Sequence, residues 1–256
     1  MFIISNIFTS SNVDFKHSGL LNHILDNCKI YSREILTGML CGFVIGAKGI
    51  SNNRNLTDDE ETVFRSIFLS SNAGIGYVIG CVGGVILNDF FLGLALYVIQ
   101  ILTALLLFKI VKTKKATTQV VPYSPLNQAS FYRVITNAVM STTSTLIIVA
   151  GFNIFFSSVA DLLFINLGIT SNSFAYHFIN SLFDFSRACY FSSTLTNKAI
   201  QFFIIGLSVG FGGLSVHFQI FTQCEGYPLK AVKFTLLKLA QGVLCGILFS
   251  FLLFLY

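Results

Sequence analysis

Long apolar segments decide what this chain can fold into. The longest occupy residues 64–87, 90–111, 134–168, 200–222 and 231–255. A membrane-spanning helix needs about 20 predominantly apolar residues, and each segment is long enough for one. The 256-residue chain is 54% hydrophobic and 11% charged, whereas about a quarter of the residues in a soluble domain are charged. Lipid must therefore cover the apolar surface, and the sequence predicts an all-α, polytopic membrane protein.

Motifs and charge argue against several other functions. The sequence contains no H-E-x-x-H, G-x-S-x-G or P-loop motif. Its six cysteines are scattered without C-x-x-C spacing, so they predict no metal site. The net charge of +5 is modest, and most basic residues flank apolar segments, where membrane topology accounts for them. We therefore expect no enzymatic activity, no cofactor and no nucleic-acid partner.

Three segments do not fit a single uninterrupted span. Residues 35–50 and 174–195 are short or interrupted, so we expect re-entrant hairpins or broken helices there. Residues 134–168 are longer than one perpendicular span needs. We expect a span plus part of a second element in that segment, joined near Gly151 and Asn153.

An internal repeat relates the two halves of the chain. The glycine-rich sequences SNAGIGYVIG and GFGGLSVHFQ align at an offset of 139 residues. The same offset places Lys48 on Arg187 and lays residues 90–111 over residues 229–250. Because one register aligns three features, we expect two structural repeats.

Basic residues indicate that the two repeats have opposite orientations. Lys109 follows the first pair of spans and Arg133 precedes the next, which makes that side cytoplasmic. In the second half Lys230 and Lys233 follow the corresponding turn, and the end of the last span carries no basic residue. Equivalent elements then face opposite sides, which is the inverted-topology arrangement of many secondary transporters. Lys198, on the expected external side, is the exception.

The two glycine-rich sequences also predict interruptions within the spans. Ser, Asn and several glycines stand there among apolar residues, where a helix breaks or bends. The N-termini of broken helices carry partial positive charge and free N–H groups, which suit an anion near the membrane midplane. The alternative is that these glycines only allow close helix packing.

The motifs and their order resemble a known family. GFVIGAK, SNAGIG and GFGGLSVHFQ resemble motifs of the YlbJ-type sporulation integral membrane proteins. That family carries nucleoside-recognition (Gate) domains and is distantly similar to the concentrative nucleoside transporters. A glutamate-containing motif of the family falls on DFSRA, where Asp184 replaces the glutamate, and Val44 replaces a proline. The resemblance covers nearly the whole chain.

The resemblance implies a domain organisation and a function. It implies two Gate-like repeats, residues 1–112 and 129–256, joined by a cytoplasmic linker over residues 113–128. The family's first transmembrane helix has no counterpart here, so we expect a diverged copy, an N-terminally truncated one or a misassigned start codon. The implied function is membrane transport of a small anionic or nucleoside-like solute, which is dipicolinate for the closest sporulation relatives.

The resemblance also implies a location and partners. The location is the cell membrane, or the membrane around a developing spore. The partners are the solute, the lipid bilayer, and either further copies of this chain or other sporulation membrane proteins. The alternative function is a non-transporting membrane scaffold that has kept the fold.

Two cations at repeat-equivalent positions suit an anionic solute. Arg187 can hold a carboxylate with its planar fork, and Lys48 acts as a point charge. Each has a second interpretation, because Lys48 can reach the lipid headgroups and Asp184 can neutralise Arg187 from three residues away. Asp161 lies within a span, so it either couples proton or sodium movement or marks a helix end.

The predicted substrate site joins these residues to the glycine-rich clusters. Its members are Gly46, Lys48, Ser71, Asn72, Gly74, Asp184, Arg187, Gly212, Gly213, Ser215 and Gln219. The side chain of Gln219 binds either a ligand or a neighbouring helix. Asp161 is the candidate for ion coupling.

Overall fold

The structure, a computed structural model, describes residues 25–53, 59–110, 131–224 and 229–254. These residues form helices and no strand, so the predicted all-α class is confirmed. Four helical segments are long and apolar enough to cross a membrane: Phe90–Ile110, Ile135–Leu167, Lys198–Gln223 and Ala231–Phe251. The predicted linker, residues 113–128, lies outside the described residues, as does the start of the first predicted repeat, residues 1–24.

The described part of the first half begins with a short 3-10 helix, Asp26–Tyr31. The helices that follow are α1 (Ser32–Cys41), α2 (Phe43–Asn52), α3 (Glu60–Ser70), α4 (Gly76–Ile86) and α5 (Phe90–Ile110). α4 is a π-helix, whose hydrogen bonds join residues five apart. α1 and α2 form a hairpin in which Gly46 packs closely against Gly38. If a Cβ atom were added to Gly46, as in alanine, it would lie only 2.8 Å from the Gly38 Cα.

The described part of the second half begins with a single long helix. Its helices are α6 (Phe131–Leu167), α7 (Phe174–Phe183), α8 (Phe185–Ser192), α9 (Lys198–Phe211), α10 (Gly213–Gln223) and α11 (Ala231–Phe251). A short 3-10 helix, Leu252–Phe254, ends the described chain. α7 and α8 form a second hairpin, in which the ring centroids of Tyr176 and Phe191 lie 5.5 Å apart.

The order of elements is the same in the two halves once α6 is set aside. Each half has a hairpin of two short helices, α1–α2 or α7–α8, interrupted at one residue. Each then has a helix pair with a short interruption, α3–α4 or α9–α10, and finally one long helix, α5 or α11. The interruptions fall at Gly42, residues 71–75, Asp184 and Gly212. We call these four positions the helix breaks.

The helix pair α3–α4 runs along α5. At one end the guanidinium of Arg65 donates to the carbonyl of Phe108 at 2.9 Å, near the last turn of α5. At the other end a Cβ on Gly83 would lie 2.7 Å from the Gly93 Cα, in the first turns of α5. α3 and α4 therefore cover successive parts of α5, antiparallel to it.

The helix pair α9–α10 runs along α11 in the same way. The Ser250 hydroxyl, at the end of α11, donates to the carbonyl of Ala199 at the start of α9 at 3.1 Å. Near the start of α11, Phe234 contacts Phe221 of α10 with ring centroids 5.9 Å apart. Lys233 also lies near the start of α11 and forms a 2.6 Å ion pair with Glu61 of α3. α3 and α9 therefore begin at opposite ends of α11.

α6 differs from the expectation of a span joined to a second element. It is one helix of 37 residues without an interruption at Gly151 or Asn153, about 55 Å long. A Cβ on Gly151 would meet no atom within 4 Å, and one exposed glycine costs a helix only about 1 kcal/mol. The Asn153 side chain does not compete with the backbone either, because it accepts a hydrogen bond from Gln219 at 2.9 Å.

Glycines allow α9 and α11 to approach closely. A Cβ on Gly206 would lie 2.7 Å from the Gly246 Cα, and one on Gly210 would lie 2.8 Å from the Gly242 Cα. Real Cβ atoms do not approach other atoms this closely, so any larger residue must push the helices apart. Small residues four apart on both helices form the contact that drives helix association in membranes.

We predict that Gly246→Val lowers the melting temperature of the detergent-solubilised protein by about 5 °C, because overpacking costs about 1–3 kcal/mol. Gly151→Val is the matched control, since its side chain meets open space on α6. A thiol-reactive fluorescent dye reports unfolding when buried Cys189 and Cys245 become accessible. Equal melting temperatures for the two variants would contradict the predicted packing.

Candidate functional site

The four helix breaks meet at one place in the fold. A Cβ on Gly74 would lie 2.9 Å from the carbonyl carbon of Cys41 and 3.1 Å from the Gly42 nitrogen. A Cβ on Gly212 would lie 3.0 Å from the Phe43 ring. One on Gly213 would lie 3.0 Å from the carbonyl oxygen of Phe183. The breaks in both halves of the chain thus pack against one another.

Backbone conformation explains why glycine stands at these contacts. Gly42, Gly212 and Gly213 have φ angles of 114°, 86° and 76°, a region that side chains with a Cβ rarely adopt. Gly74 has no positive φ, and close approach to the Gly42 break excludes a side chain there. Two of the predicted site glycines, Gly212 and Gly213, therefore shape the breaks, while Gly74 brings two breaks together.

A cavity of about 360 Å³ lies beside the breaks. Three aromatic residues from three different helices line it and contact one another. The Phe43 and Phe185 ring centroids lie 5.2 Å apart, and those of Tyr77 and Phe185 lie 5.0 Å apart, both edge to face. Such a cluster offers ring faces and edges on which a planar solute can pack.

Neutral polar groups complete the cavity wall. Gln219 of α10 and Asn153 of α6 both line it and are joined by a 2.9 Å hydrogen bond. Ser186, the second residue of α8, lines it as well. Among the described residues, no Asp, Glu, Lys, Arg or His side chain lines the cavity. Recognition in this cavity would therefore depend on aromatic contact and uncharged hydrogen-bonding groups.

Helix N-termini provide the positive potential at this site. α2 begins at Phe43 and has no side-chain cap, because Gly42 holds the N-cap position. α8 also begins at the cavity, but the Asp184 carboxylate accepts from its Ser186 and Arg187 N–H groups at 2.9 and 3.4 Å. The uncapped end of α2 therefore presents partial positive charge to the cavity.

Lys48 lies on the side of α2 that contacts α6. Its ammonium donates to the carbonyl and the hydroxyl of Ser141, at 3.2 and 2.8 Å, and to the Thr145 hydroxyl at 2.8 Å. Lys48 does not line the cavity. In this arrangement Lys48 joins α2 to α6.

Arg187 makes the corresponding contact near the other end of α6. Its guanidinium forms an ion pair with the carboxylate of Asp161 and donates to the Ser157 carbonyl at 2.9 Å. Asp184 caps α8 and accepts from the Ser157 hydroxyl at 3.3 Å. The structure thus brings Arg187, Asp161 and Asp184 together around α6, outside the cavity lining.

The remaining predicted residues fall into two groups. Gly46 packs against α3, where a Cβ would lie 2.6 Å from the Ser70 Cβ, and Ser215 is buried with no hydrogen-bond partner among the described residues. Ser71 and Asn72 are fully buried in the break between α3 and α4. They contact Lys238, Gln241 and Gln100, a polar cluster that is separate from the cavity lining.

Of the site residues predicted from the sequence, only Gly74 and Gln219 line the cavity. The aromatic lining residues were not predicted, although Phe43 and Phe185 directly follow the breaks at Gly42 and Asp184. An aromatic residue directly after a predicted break therefore indicates a cavity-lining position. Asn153 carried no signal beyond being polar within a span.

Comparison with protein-family models, with curated proteins and with solved structures gives no match for this chain. The geometry of the breaks, the cavity and the polar contacts therefore carries the functional conclusion. The resemblance to the YlbJ-type proteins stays a prediction from sequence motifs.

We predict that Lys48→Met lowers the melting temperature of the solubilised protein by about 5 °C, because hydrogen bonds to a charged group contribute about 1.5–3 kcal/mol. Lys109→Met is the control, since Lys109 is exposed in the last turn of α5. The same dye-based melting measurement compares them. If the two variants have the same melting temperature, the contact between Lys48 and α6 does not stabilise the fold.

Proposed function

We propose that this chain is a membrane transporter of a small solute, which binds in the cavity beside the four helix breaks. The observation that carries the proposal is that the breaks from both halves pack together beside that cavity, which Gly42 and Gly74 line directly and Phe185 lines next to the Asp184 break. Interrupted backbone is costly within lipid, so it persists where protein or a water-filled cavity satisfies it. Transporters use such broken helices to build substrate sites and to change access from one side to the other.

We further propose that the two halves are inverted-topology repeats whose hairpins α1–α2 and α7–α8 re-enter the membrane from opposite sides. Support comes from the repeated order of elements and from the opposite directions of α3 and α9 along α11. The basic residues Lys109, Arg133, Lys230 and Lys233 agree with this topology, because it places all four on one side.

The topology can be tested with two single-cysteine reporters. Asn52 and Ser193 are exposed at the ends of α2 and α8, at the bases of the two hairpins. We expect a membrane-impermeant maleimide to label Asn52→Cys and Ser193→Cys from opposite sides of intact cells or vesicles. Cys41→Ser and Cys81→Ser in the background remove the native cysteines with partial exposure. Labelling of both reporters from the same side would contradict the inverted repeat.

The cavity lining favours a planar solute over a dianion. Phe43, Tyr77 and Phe185 offer aromatic surface, and Asn153 and Gln219 offer amide groups that pair with heterocyclic donors and acceptors. Among the described residues, a dicarboxylate such as dipicolinate would find only the uncapped N-terminus of α2 as a positive group, since Lys48 and Arg187 bind to α6 instead. We therefore place nucleoside-like solutes ahead of dipicolinate, with the anion as the second candidate.

Reconstitution in liposomes tests the transport proposal. We expect the purified protein to take up labelled uridine or another nucleoside, or labelled dipicolinate, in a saturable manner. The alternative function, a membrane scaffold, predicts no flux above that of empty liposomes for any of these solutes. A folded protein, shown by its melting transition, that moves none of them would favour the scaffold.

A substitution that fills the cavity makes the test specific. Gly76 lines the cavity, and a Cβ there would meet no atom within 4 Å, so Gly76→Leu projects into open space without a clash. We expect it to reduce flux at least tenfold. Gly80→Leu, one turn further along α4, also meets open space and does not line the cavity. Equal flux through the two variants would show that the transported solute does not pass through the cavity.

A further inference from the structure

Lys238 carries a buried amino group with no acidic partner among the described residues. It lies in the interior of α11, and only 1% of its surface is exposed. Its ammonium donates to the Ser71 carbonyl and to the Gln241 side-chain oxygen, the latter at 2.9 Å. The Phe68 ring centroid lies 4.8 Å from the Nζ atom. The two ion pairs found in the described ranges involve other residues.

A network of neutral amide side chains adjoins the amino group of Lys238. Gln241 donates from its nitrogen to the Asn72 side-chain oxygen at 2.8 Å, which turns the Gln241 oxygen towards Lys238. Gln100 donates to the same Asn72 oxygen at 3.4 Å. The Gln100 oxygen itself is fully buried and has no hydrogen-bond partner among the described residues. Carbonyl and amide oxygens are the ligands that alkali cations and ammonium groups prefer.

The position of the cluster also favours a cation. Ser71 is the C-cap residue of α3, and its carbonyl points away from the helix towards Lys238. The C-terminus of a helix carries partial negative charge, and its last carbonyl groups have no partner within the helix. In lipid no water reaches these groups, so a cation or donor from another helix must satisfy them.

We propose that Lys238 is a tethered cation that occupies a monovalent-cation site at the C-terminus of α3. The ligands of that site are the Ser71 carbonyl and the Gln241 amide oxygen, and the Asn72 and Gln100 amides belong to the same hydrogen-bond network. The native protein holds the break between α3 and α4 without a free ion. When the side chain is removed, the site accepts a small monovalent cation from solution. This proposal does not depend on transport.

Thermal unfolding of two variants tests the site. Lys238→Ala opens the space that the side chain occupied, and Lys238→Met keeps it filled without the charge. Melting temperatures are measured in choline chloride, sodium chloride and methylammonium chloride at equal ionic strength. We expect Lys238→Ala to melt about 5 °C below the native protein in choline. It should recover at least half of that difference in sodium or methylammonium. Lys238→Met should have a lower melting temperature than the native protein in all three salts.

Controls separate a specific site from a general salt effect. The native protein and Lys233→Met, which loses an ion pair at the partly exposed end of α11, should show no difference among the salts. The proposal is overturned if Lys238→Ala melts at one temperature in all three salts, or if Lys238→Met is as stable as the native protein. If Lys238→Ala folds only in sodium or methylammonium, the site is supported; if it folds in none, the site takes no free cation.

Discussion

The four helix breaks impose the constraint on which the rest of this fold depends. A membrane helix that stops within the apolar layer leaves backbone N–H and carbonyl groups that lipid cannot satisfy. In this chain the breaks at Gly42, Gly74, Asp184 and Gly212 pack against one another, and glycine permits each close approach. The cavity with its aromatic and amide lining lies where the packed breaks leave space.

Polar side chains join the interrupted helices to α6. Lys48, Gln219 and Arg187 each bind α6, at successive positions along that helix. These contacts hold α6 to the rest of the protein, because only 11% of the most apolar stretch of that helix is buried. Lys238 satisfies the end of α3 in a similar way. Lys48, Arg187 and Lys238 thus join helices, whereas the cavity lining contains no charged side chain among the described residues.

The sequence predicts the helical class and the positions of two breaks, at residues 71–75 and at Gly212, because both follow from local chemistry. For residues 35–50 and 174–195 it predicts re-entrant or broken helices without placing the breaks at Gly42 and Asp184. Apolar length predicts a span, and clusters of glycine with Ser or Asn predict an interruption, as at Asn72 and Gly212. The internal repeat that the offset of 139 residues predicts stays a prediction, and the repeated order of elements is consistent with it. The continuity of α6 through Gly151 was not predicted, because one exposed glycine weakens a helix too little to end it.

The hydrogen-bond and ion-pair partners of the charged side chains could not be predicted from the sequence. Lys48 and Arg187 were assigned to an anion on the basis of charge, and no local pattern revealed that Ser141 and Asp161 of α6 would bind them. No sequence pattern singles out Lys238, because its hydrogen-bond acceptors Ser71 and Gln241 come from different halves of the chain. Tertiary contacts between distant segments decide whether a cation binds a solute or a neighbouring helix.

The central claim is that a solute occupies the cavity between the breaks, and a native cysteine can report it. Cys41 lines the cavity, whereas Cys81 of α4 is similarly half-buried and does not line it. The rate of alkylation of each cysteine by N-ethylmaleimide can be measured by mass spectrometry with and without saturating nucleoside or dipicolinate. The account predicts that a bound solute slows the alkylation of Cys41 and leaves that of Cys81 unchanged. Unchanged alkylation of Cys41 with a solute that the protein transports would contradict it.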